Sequence, residues 1–116
     1  FQGNLWYGGR SSVRLFSIGG HVHTTFRDHA LQRASERLSL SLEEIARILD
    51  HDLCVPLGRD GPRKVHKLFW SEPDSYWFVA VQDESDGEVV TIFPVDYHNR
   101  WEVAFDVLEE ARRLMS

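Results

Sequence analysis

Three short segments rich in aromatic and β-branched residues constrain the fold of this chain more than any other feature. They cover residues 64–70, 75–82 and 88–93, and the two connections between them contain Pro73 and Gly87. Connections this short join neighbouring antiparallel strands. The pattern therefore predicts a three-stranded antiparallel meander.

The middle segment of the three is predicted to be the central strand. Successive side chains of a strand point to opposite faces, and both faces of this segment are apolar. One face carries Tyr76, Phe78 and Ala80, and the other carries Trp77, Val79 and Val81. A strand of this kind needs a covering layer on each side of the sheet.

Two helices are predicted before the meander. Asp28 stands where an N-cap belongs and is expected to begin a helix over residues 29–38. Ser41 and Glu44 have the spacing of a capping box, which predicts a second helix that ends at Leu49. Apolar residues at helical spacing place one face of the second helix against the core.

A third helix is predicted over residues 101–115, where apolar residues recur at 101, 104, 105, 108, 111 and 115. Asn99 is a candidate N-cap for it. Before the first helix, residues 13–18 and 21–26 flank Gly19-Gly20 and predict a β-hairpin. Residues 52–63 hold two prolines and two glycines and predict a loop, with a short edge strand near Cys54 as an alternative.

These elements predict an α+β fold with an N-terminal hairpin or strand, two helices, a three-stranded meander and a C-terminal helix packed on the sheet. With 116 residues, the chain is expected to form one domain over residues 13–116. Residues 1–12 are interpreted as a tag remnant and an N-terminal tail, since Phe1-Gln2-Gly3 resembles the end of a protease recognition site.

Composition favours a cytoplasmic protein without a membrane segment. The single cysteine excludes an intramolecular disulfide, and no apolar run approaches the roughly 18 residues of a membrane helix. No signal peptide is recognisable. The net charge of −5 argues against a surface that attracts nucleic acid everywhere, but residues 59–67 form a basic run.

Three stretches of the sequence resemble known bacterial domains. TFRDHALQR at 25–33, SLSLEEI at 39–45 and GEVVTI at 87–92 resemble uncharacterised domains placed near the RelE/ParE-like toxins. That fold belongs to a group of metal-independent ribonuclease-like domains that includes barnase and the colicin nucleases. The resemblance implies catalytic groups on the first helix and at the exit of the last strand. RelE-type toxins are usually strongly basic, whereas this chain is acidic.

The candidate catalytic residues are His29, Arg33, His98 and Arg100, which fall in two clusters. His29 and Arg33 are spaced four residues apart on the first predicted helix, and Arg37 continues the same stripe. His98 and Arg100 follow the last predicted strand. An imidazole can act as general base or acid in an attack by a ribose 2′-hydroxyl, and a guanidinium can stabilise the phosphate.

Arg37, Tyr97 and Lys67 are the candidate substrate-binding residues. Tyr97 can stack on a base, and Lys67 belongs to the basic run. The alternative for all of these residues is structural: the helix stripe is a solvated edge, His98 is exposed and Tyr97 is half-buried. The nuclease hypothesis requires the two clusters to meet in one pocket.

No metal and no cofactor is predicted. His21 and His23 lie on one face of a predicted strand, but no third ligand has suitable spacing. Cys54 has no neighbour in the sequence that would activate it, so a buried structural thiol is expected.

The sequence predicts a metal-independent endoribonuclease, the toxin of a toxin–antitoxin pair, with RNA and a cognate antitoxin or other protein as partners. The alternative is a non-catalytic module of the same fold that binds a protein or a small ligand. The acidic residues around the meander favour that alternative, because they repel RNA and attract a basic partner.

Overall fold

The computed structural model describes residues 24–116 and the backbone of residues 13–15. Its strands form one mixed sheet in the order β1-β2-β6-β5-β4-β3. The strands are β1 (Val13–Leu15), β2 (Thr25–Arg27), β3 (Val55–Asp60), β4 (Lys64–Ser71), β5 (Tyr76–Asp83) and β6 (Glu88–Pro94).

The helices are α1 (Asp28–Arg37), α2 (Leu42–Asp50) and α3 (Phe105–Arg113), with a 3₁₀ turn at Val95–Tyr97. The α+β class and the order of the elements are therefore as predicted. Among the residues that the structure describes, no helix is long and apolar enough to cross a membrane.

The predicted meander is confirmed, and it contains one strand more than expected. Strands β3, β4, β5 and β6 pair antiparallel with their neighbours in sequence, and β5 is central to them. For residues 52–63 the alternative of an edge strand near Cys54 is confirmed, because β3 covers Val55–Asp60 and lies at the edge of the sheet. A proline is tolerated there because β3 is an edge strand, and the register shifts between Pro56 and Gly58.

Strands β1 and β2 form the edge of the sheet opposite to β3. β2 runs parallel to β6, with Thr25 opposite Glu88, and this pair makes the sheet mixed. β1 pairs antiparallel with β2, as the predicted hairpin requires. The predicted Gly19-Gly20 turn lies outside the described residues.

Each face of the sheet has its own apolar layer. Helices α1 and α2 cover one face, where Phe26, Ile45, Phe69 and Phe78 are among the buried residues. Helix α3 covers the other face, where Leu68, Val79 and Ala111 are buried with half-buried neighbours around them. Trp77 anchors α3 by donating its indole N–H to the Leu108 carbonyl at 2.7 Å. The alternation predicted for β5 is confirmed.

The capping box of α2 is confirmed: the Ser41 side chain accepts from the Glu44 backbone, and the Glu44 side chain accepts from the Ser41 backbone. The cap predicted for α1 is wrong. Arg27 occupies the N-cap position without a side-chain hydrogen bond, and Asp28 is the first helical residue. A carboxylate there still favours the positive end of the helix dipole.

The predicted start of the third helix is also wrong. α3 begins at Phe105 rather than at residue 101, Ala104 is its N-cap, and Asn99 does not cap it. The reason is tertiary: the Trp101 ring packs edge-on against the His66 ring at 5.0 Å. Residues 101–104 are therefore not helical, although their apolar spacing continues that of α3.

Candidate functional site

Five residues form a compact group at the α3 face of the sheet, which we call the histidine cluster: Asp60, His66, His98, Arg100 and Trp101. They come from the end of β3, from β4 and from the irregular segment that leads into α3. His66 lies opposite Gly58 on one side and opposite Val81 on the other. His66 is therefore held on the most extensively paired part of the sheet.

The two imidazoles are in direct contact. His66 Nδ1 and His98 Nε2 are 3.2 Å apart, and His98 Nδ1 lies 3.2 Å from the Trp101 carbonyl oxygen. The His98 ring also stacks on Phe93, with 6.1 Å between the ring centroids. Both nitrogens of His98 are thus engaged, and its ring orientation is fixed.

Trp101 covers the cluster. Its ring lies against the His66 ring and over Gly58, where an added Cβ would stand only 2.9 Å from the indole. A residue with a side chain at position 58 would push the indole away. His66 is 4% exposed under this cover.

A carboxylate lies between the buried imidazole and the guanidinium. Asp60 Oδ1 is 3.3 Å from Arg100 Nη2, and Asp60 Oδ2 is 3.9 Å from His66 Nε2. About half of the Arg100 side chain is exposed, whereas His66 is buried. Asp60 therefore pairs with the permanently charged Arg100, and it can also pair with His66 when that imidazole is protonated.

The hydrogen bonds determine which nitrogens carry protons when both rings are neutral. A carbonyl oxygen only accepts, so His98 Nδ1 is the donor to Trp101. His98 Nε2 then accepts from His66 Nδ1, and this leaves a lone pair on His66 Nε2. That nitrogen is buried and has no hydrogen-bond partner among the residues described.

Burial lowers the pKa of His66 below its ordinary value of 6.5, and the nearby His98 lowers it further. Asp60 opposes both effects. His66 is therefore predominantly neutral at pH 7 and offers an unprotonated nitrogen. A buried, neutral imidazole with a fixed tautomer is the arrangement that a general base requires.

The structure brings together two of the four predicted catalytic residues, His98 and Arg100, and adds His66 to them. In the sequence, His66 stands out only as a member of the basic run at 59–67. Strand alternation could have placed it on the same face as Leu68, but its contact with His98 depends on the path of the chain after β6.

Two predicted substrate-binding residues meet beside the cluster. The Arg37 guanidinium lies over the Tyr97 ring, 5.3 Å from its centroid, and donates to the Ile92 carbonyl at 3.2 Å. Tyr97 is 63% exposed and directly precedes His98. Arg37 therefore reaches from the end of α1 to the segment that carries the cluster.

The other two predicted catalytic residues do not join the cluster. His29 and Arg33 belong to α1, which covers the opposite face of the sheet. His29 is exposed, and Arg33 forms an ion pair with Glu36 at 3.1 Å. The predicted stripe on α1 is therefore divided, because only Arg37 at its end contacts the segment that carries His98.

Lys67 also lies away from the histidine cluster, on the α1 and α2 side of the sheet. Its ammonium donates to Gln82 Oε1 at 2.8 Å, and Gln82 Nε2 donates to Thr24 at 3.3 Å. Thr24 in turn donates to Asp50 at 2.5 Å. We call these four residues the polar bridge.

Within residues 24–116, no group of three or more histidine, cysteine or acidic side chains is placed to hold a metal ion. The predicted pair His21 and His23 lies outside the described residues. Cys54 is buried, as expected for a structural thiol. Burial raises the pKa of its thiol to about 11.

Comparison with known proteins gives no relative on which to base a function. No family model, no curated protein and no solved structure matches this chain.

Proposed function

We propose that this protein cleaves RNA without a metal, at the histidine cluster. The ribose 2′-hydroxyl gives its proton to His66 Nε2 while the 2′-oxygen bonds to the adjacent phosphorus. The bond from phosphorus to the 5′-oxygen breaks, and that oxygen takes a proton back from His66. The products are a 2′,3′-cyclic phosphate and a 5′-hydroxyl.

The observation that carries this proposal is the hydrogen-bond chain from the Trp101 carbonyl through His98 to His66. Two consecutive hydrogen bonds of 3.2 Å fix the tautomer that leaves the His66 Nε2 lone pair available. His98 is therefore a positioning residue in this mechanism, and His66 is the base. The buried position of His66 keeps it unprotonated at neutral pH.

Arg100 supplies the positive charge for the phosphate. Its guanidinium is half exposed and can exchange the Asp60 carboxylate for a phosphate oxygen. Asp60 is then free to pair with His66 once the imidazole has taken a proton, since the two groups are 3.9 Å apart. One carboxylate thus stabilises each stage of the reaction in turn.

Substrate entry requires Trp101 to move, because His66 Nε2 is covered in this conformation. Trp101 belongs to a segment without helix or strand, between the 3₁₀ turn and α3. Tyr97, which directly precedes His98, is 63% exposed and offers a stacking surface for a base.

The test is incubation of purified protein with RNA in EDTA, with detection of the 2′,3′-cyclic phosphate. We expect His66→Asn to lower the rate by about 10²- to 10⁴-fold, the range for loss of a general base. Arg100→Gln is expected to lower it by about 10²- to 10³-fold, as for loss of one group that stabilises the transition state.

His51→Asn is the matched control, since His51 is exposed at the C-cap of α2, on the other side of the molecule from the cluster. It should cleave at the wild-type rate. Circular dichroism establishes that each variant is folded, and His98→Asn provides a second test if His66→Asn is not. Wild-type protein that yields no cyclic phosphate from single-stranded, duplex or ribosome-bound RNA would contradict the proposal, as would equal rates for wild type and His66→Asn.

A second candidate function, binding of a basic protein segment, is favoured by one surface. A groove of about 560 Å³ runs between β3 and α3, and its lining includes Asp106, Glu109 and Glu110. Phe105 beside these carboxylates is 74% exposed. An apolar side chain with an acidic rim attracts a segment that alternates apolar and basic residues.

The test of this second function uses a synthetic peptide of alternating valine and lysine, followed by fluorescence anisotropy. Binding that is lost in Phe105→Asp and kept in Tyr76→Asp would support it. An affinity unchanged by Phe105→Asp would exclude the groove.

A further inference from the structure

We infer that the cavity beside the polar bridge binds a small zwitterion that carries an ammonium group and a carboxylate, such as a free α-amino acid. The cavity has a volume of about 590 Å³ and opens between the end of α2, strands β4 and β5, and the turn between β5 and β6. Asp50, Lys67 and Gln82 form its wall together with residues 84–87.

The polar bridge holds two opposite charges on this wall without letting them meet. Lys67 reaches Gln82, and Asp50 is reached by Thr24, so that three consecutive hydrogen bonds separate the ammonium from the carboxylate. In the part of the chain that the structure describes, no ion pair joins Lys67 to any carboxylate or Asp50 to any cation.

The spacer between the two charges is fixed. Thr24 is fully buried, Gln82 is 5% exposed, and Gln82 Nε2 also donates to the Gly87 carbonyl at 2.9 Å. Buried groups with satisfied hydrogen bonds resist rearrangement. Lys67 therefore cannot move onto Asp50 without breaking the bridge, and the charges stay apart.

Both charged groups have hydrogen-bonding capacity left. The Lys67 ammonium has three N–H groups, and one of them is used on Gln82. Asp50 Oδ2 is buried and has no hydrogen-bond partner within the described chain. Asp50 lines the cavity, and this second oxygen is the one left to accept from a ligand there.

A zwitterion complements this arrangement at both ends. Its carboxylate accepts from Lys67, and its ammonium donates to Asp50, so that each charge gains the partner that the bridge denies it. The turn adds the carboxylates of Glu84 and Asp86 to the lining, and Arg59 pairs with Glu84 at 2.6 Å. The excess of negative charge makes an acidic amino acid the weakest ligand.

The test is isothermal titration of the wild-type protein with each of the twenty common amino acids at millimolar concentration. We expect at least one to bind, with aspartate and glutamate the weakest. For the best ligand, the decarboxylated amine and the N-acetyl derivative each lack one charge. Each is expected to bind about tenfold or more weakly, the size of one lost charged hydrogen bond.

Matched variants assign the two contacts. Lys67→Met and Asp50→Asn should each weaken binding by about tenfold or more. Lys64→Met and Asp52→Asn are the matched controls. Lys64 lies on the same strand as Lys67, but its side chain points towards the α3 face. Asp52 lies just beyond α2, and its φ of 56° suits asparagine. Both controls should bind like wild type.

Failure of all twenty amino acids to bind would overturn the inference, and so would binding that neither Lys67→Met nor Asp50→Asn weakens. Neither result bears on RNA cleavage, because the cavity and the histidine cluster lie on opposite faces of the sheet.

Discussion

The two faces of the sheet hold their buried polar groups in different ways. On the α3 face, the histidine cluster keeps a neutral nitrogen without a hydrogen-bond partner in the described chain, under an aromatic cover. On the α1 and α2 face, the polar bridge keeps two opposite charges apart beside an open cavity. The first arrangement leaves an imidazole nitrogen beneath an indole, and the second leaves an ammonium and a carboxylate on one wall of a cavity.

The two faces also differ in how much buried apolar surface supports them. The layer under α1 and α2 contains most of the fully buried side chains, whereas the layer under α3 consists mainly of half-buried ones. The proposed mechanism requires Trp101 to move, and Trp101 lies on the less tightly packed side. This difference can be tested by comparing substitutions on the two faces.

The largest expected effect is a loss of folding stability when either of two adjacent core side chains of β4 is truncated to alanine. Phe69 faces α1 and α2, and Leu68 faces α3; both are fully buried. We expect Phe69→Ala to lower the free energy of unfolding by about 3–5 kcal/mol, and Leu68→Ala by about 2–3 kcal/mol because its surroundings can relax. Urea denaturation measures both, and a greater loss for Leu68→Ala would contradict the comparison.

A smaller loss is expected from Gly58→Ala, which places a methyl group 2.9 Å from the Trp101 ring. The free energy of unfolding should fall by about 1–3 kcal/mol, the range for overpacking. In a Trp101→Ala background the same change should have little effect. An equal loss in both backgrounds would show that the strain at position 58 does not involve the indole.

The next prediction concerns pH. Burial lowers the pKa of His66 in the folded protein, so below about pH 6.5 the unfolded chain binds a proton that the folded chain does not. Stability contributed by His66 is therefore lost as the pH falls below 6.5. The melting temperature of His66→Asn should decline less between pH 7 and pH 5 than that of wild type, whereas His51→Asn should follow wild type.

The smallest effect is expected at Cys54, which lies in the layer under α1 and α2. Its pKa of about 11, raised by burial, leaves almost no thiolate at pH 7. A thiol reagent should modify the folded protein far more slowly than the urea-unfolded protein. Rapid modification of the folded protein would show that this layer opens more readily than its packing indicates.

Much of the fold is predictable because it is encoded in local patterns. The alternation in β5 and the capping box at Ser41 each determine their own element, and both are confirmed. The strand β3 is predicted only as an alternative to a loop, because Pro56 and Gly58 carry loop signals, which an edge strand tolerates. The start of α3 differs from the prediction because the packing of Trp101 overrides a helical period.

The histidine cluster is only half predictable. The exit of the last strand indicates His98 and Arg100, which both belong to the cluster, His98 through His66 and Arg100 through Asp60. His66 and Asp60 come from strands whose pairing brings them to this point, and a single sequence does not specify that pairing. The expected meeting of His29 with His98 depends on a face assignment for α1, and the structure places them on opposite sides of the sheet.

The parallel contact between β2 and β6 has a consequence for how the molecule is made. Thr25 pairs with Glu88, so β2 emerges during synthesis long before its neighbour exists. Until β6 follows, β2 has a partner only on its β1 side, and the early part of the chain carries an uncovered apolar helix face. The sheet is therefore completed late, and a nascent chain stopped before β6 would remain open to aggregation or proteolysis.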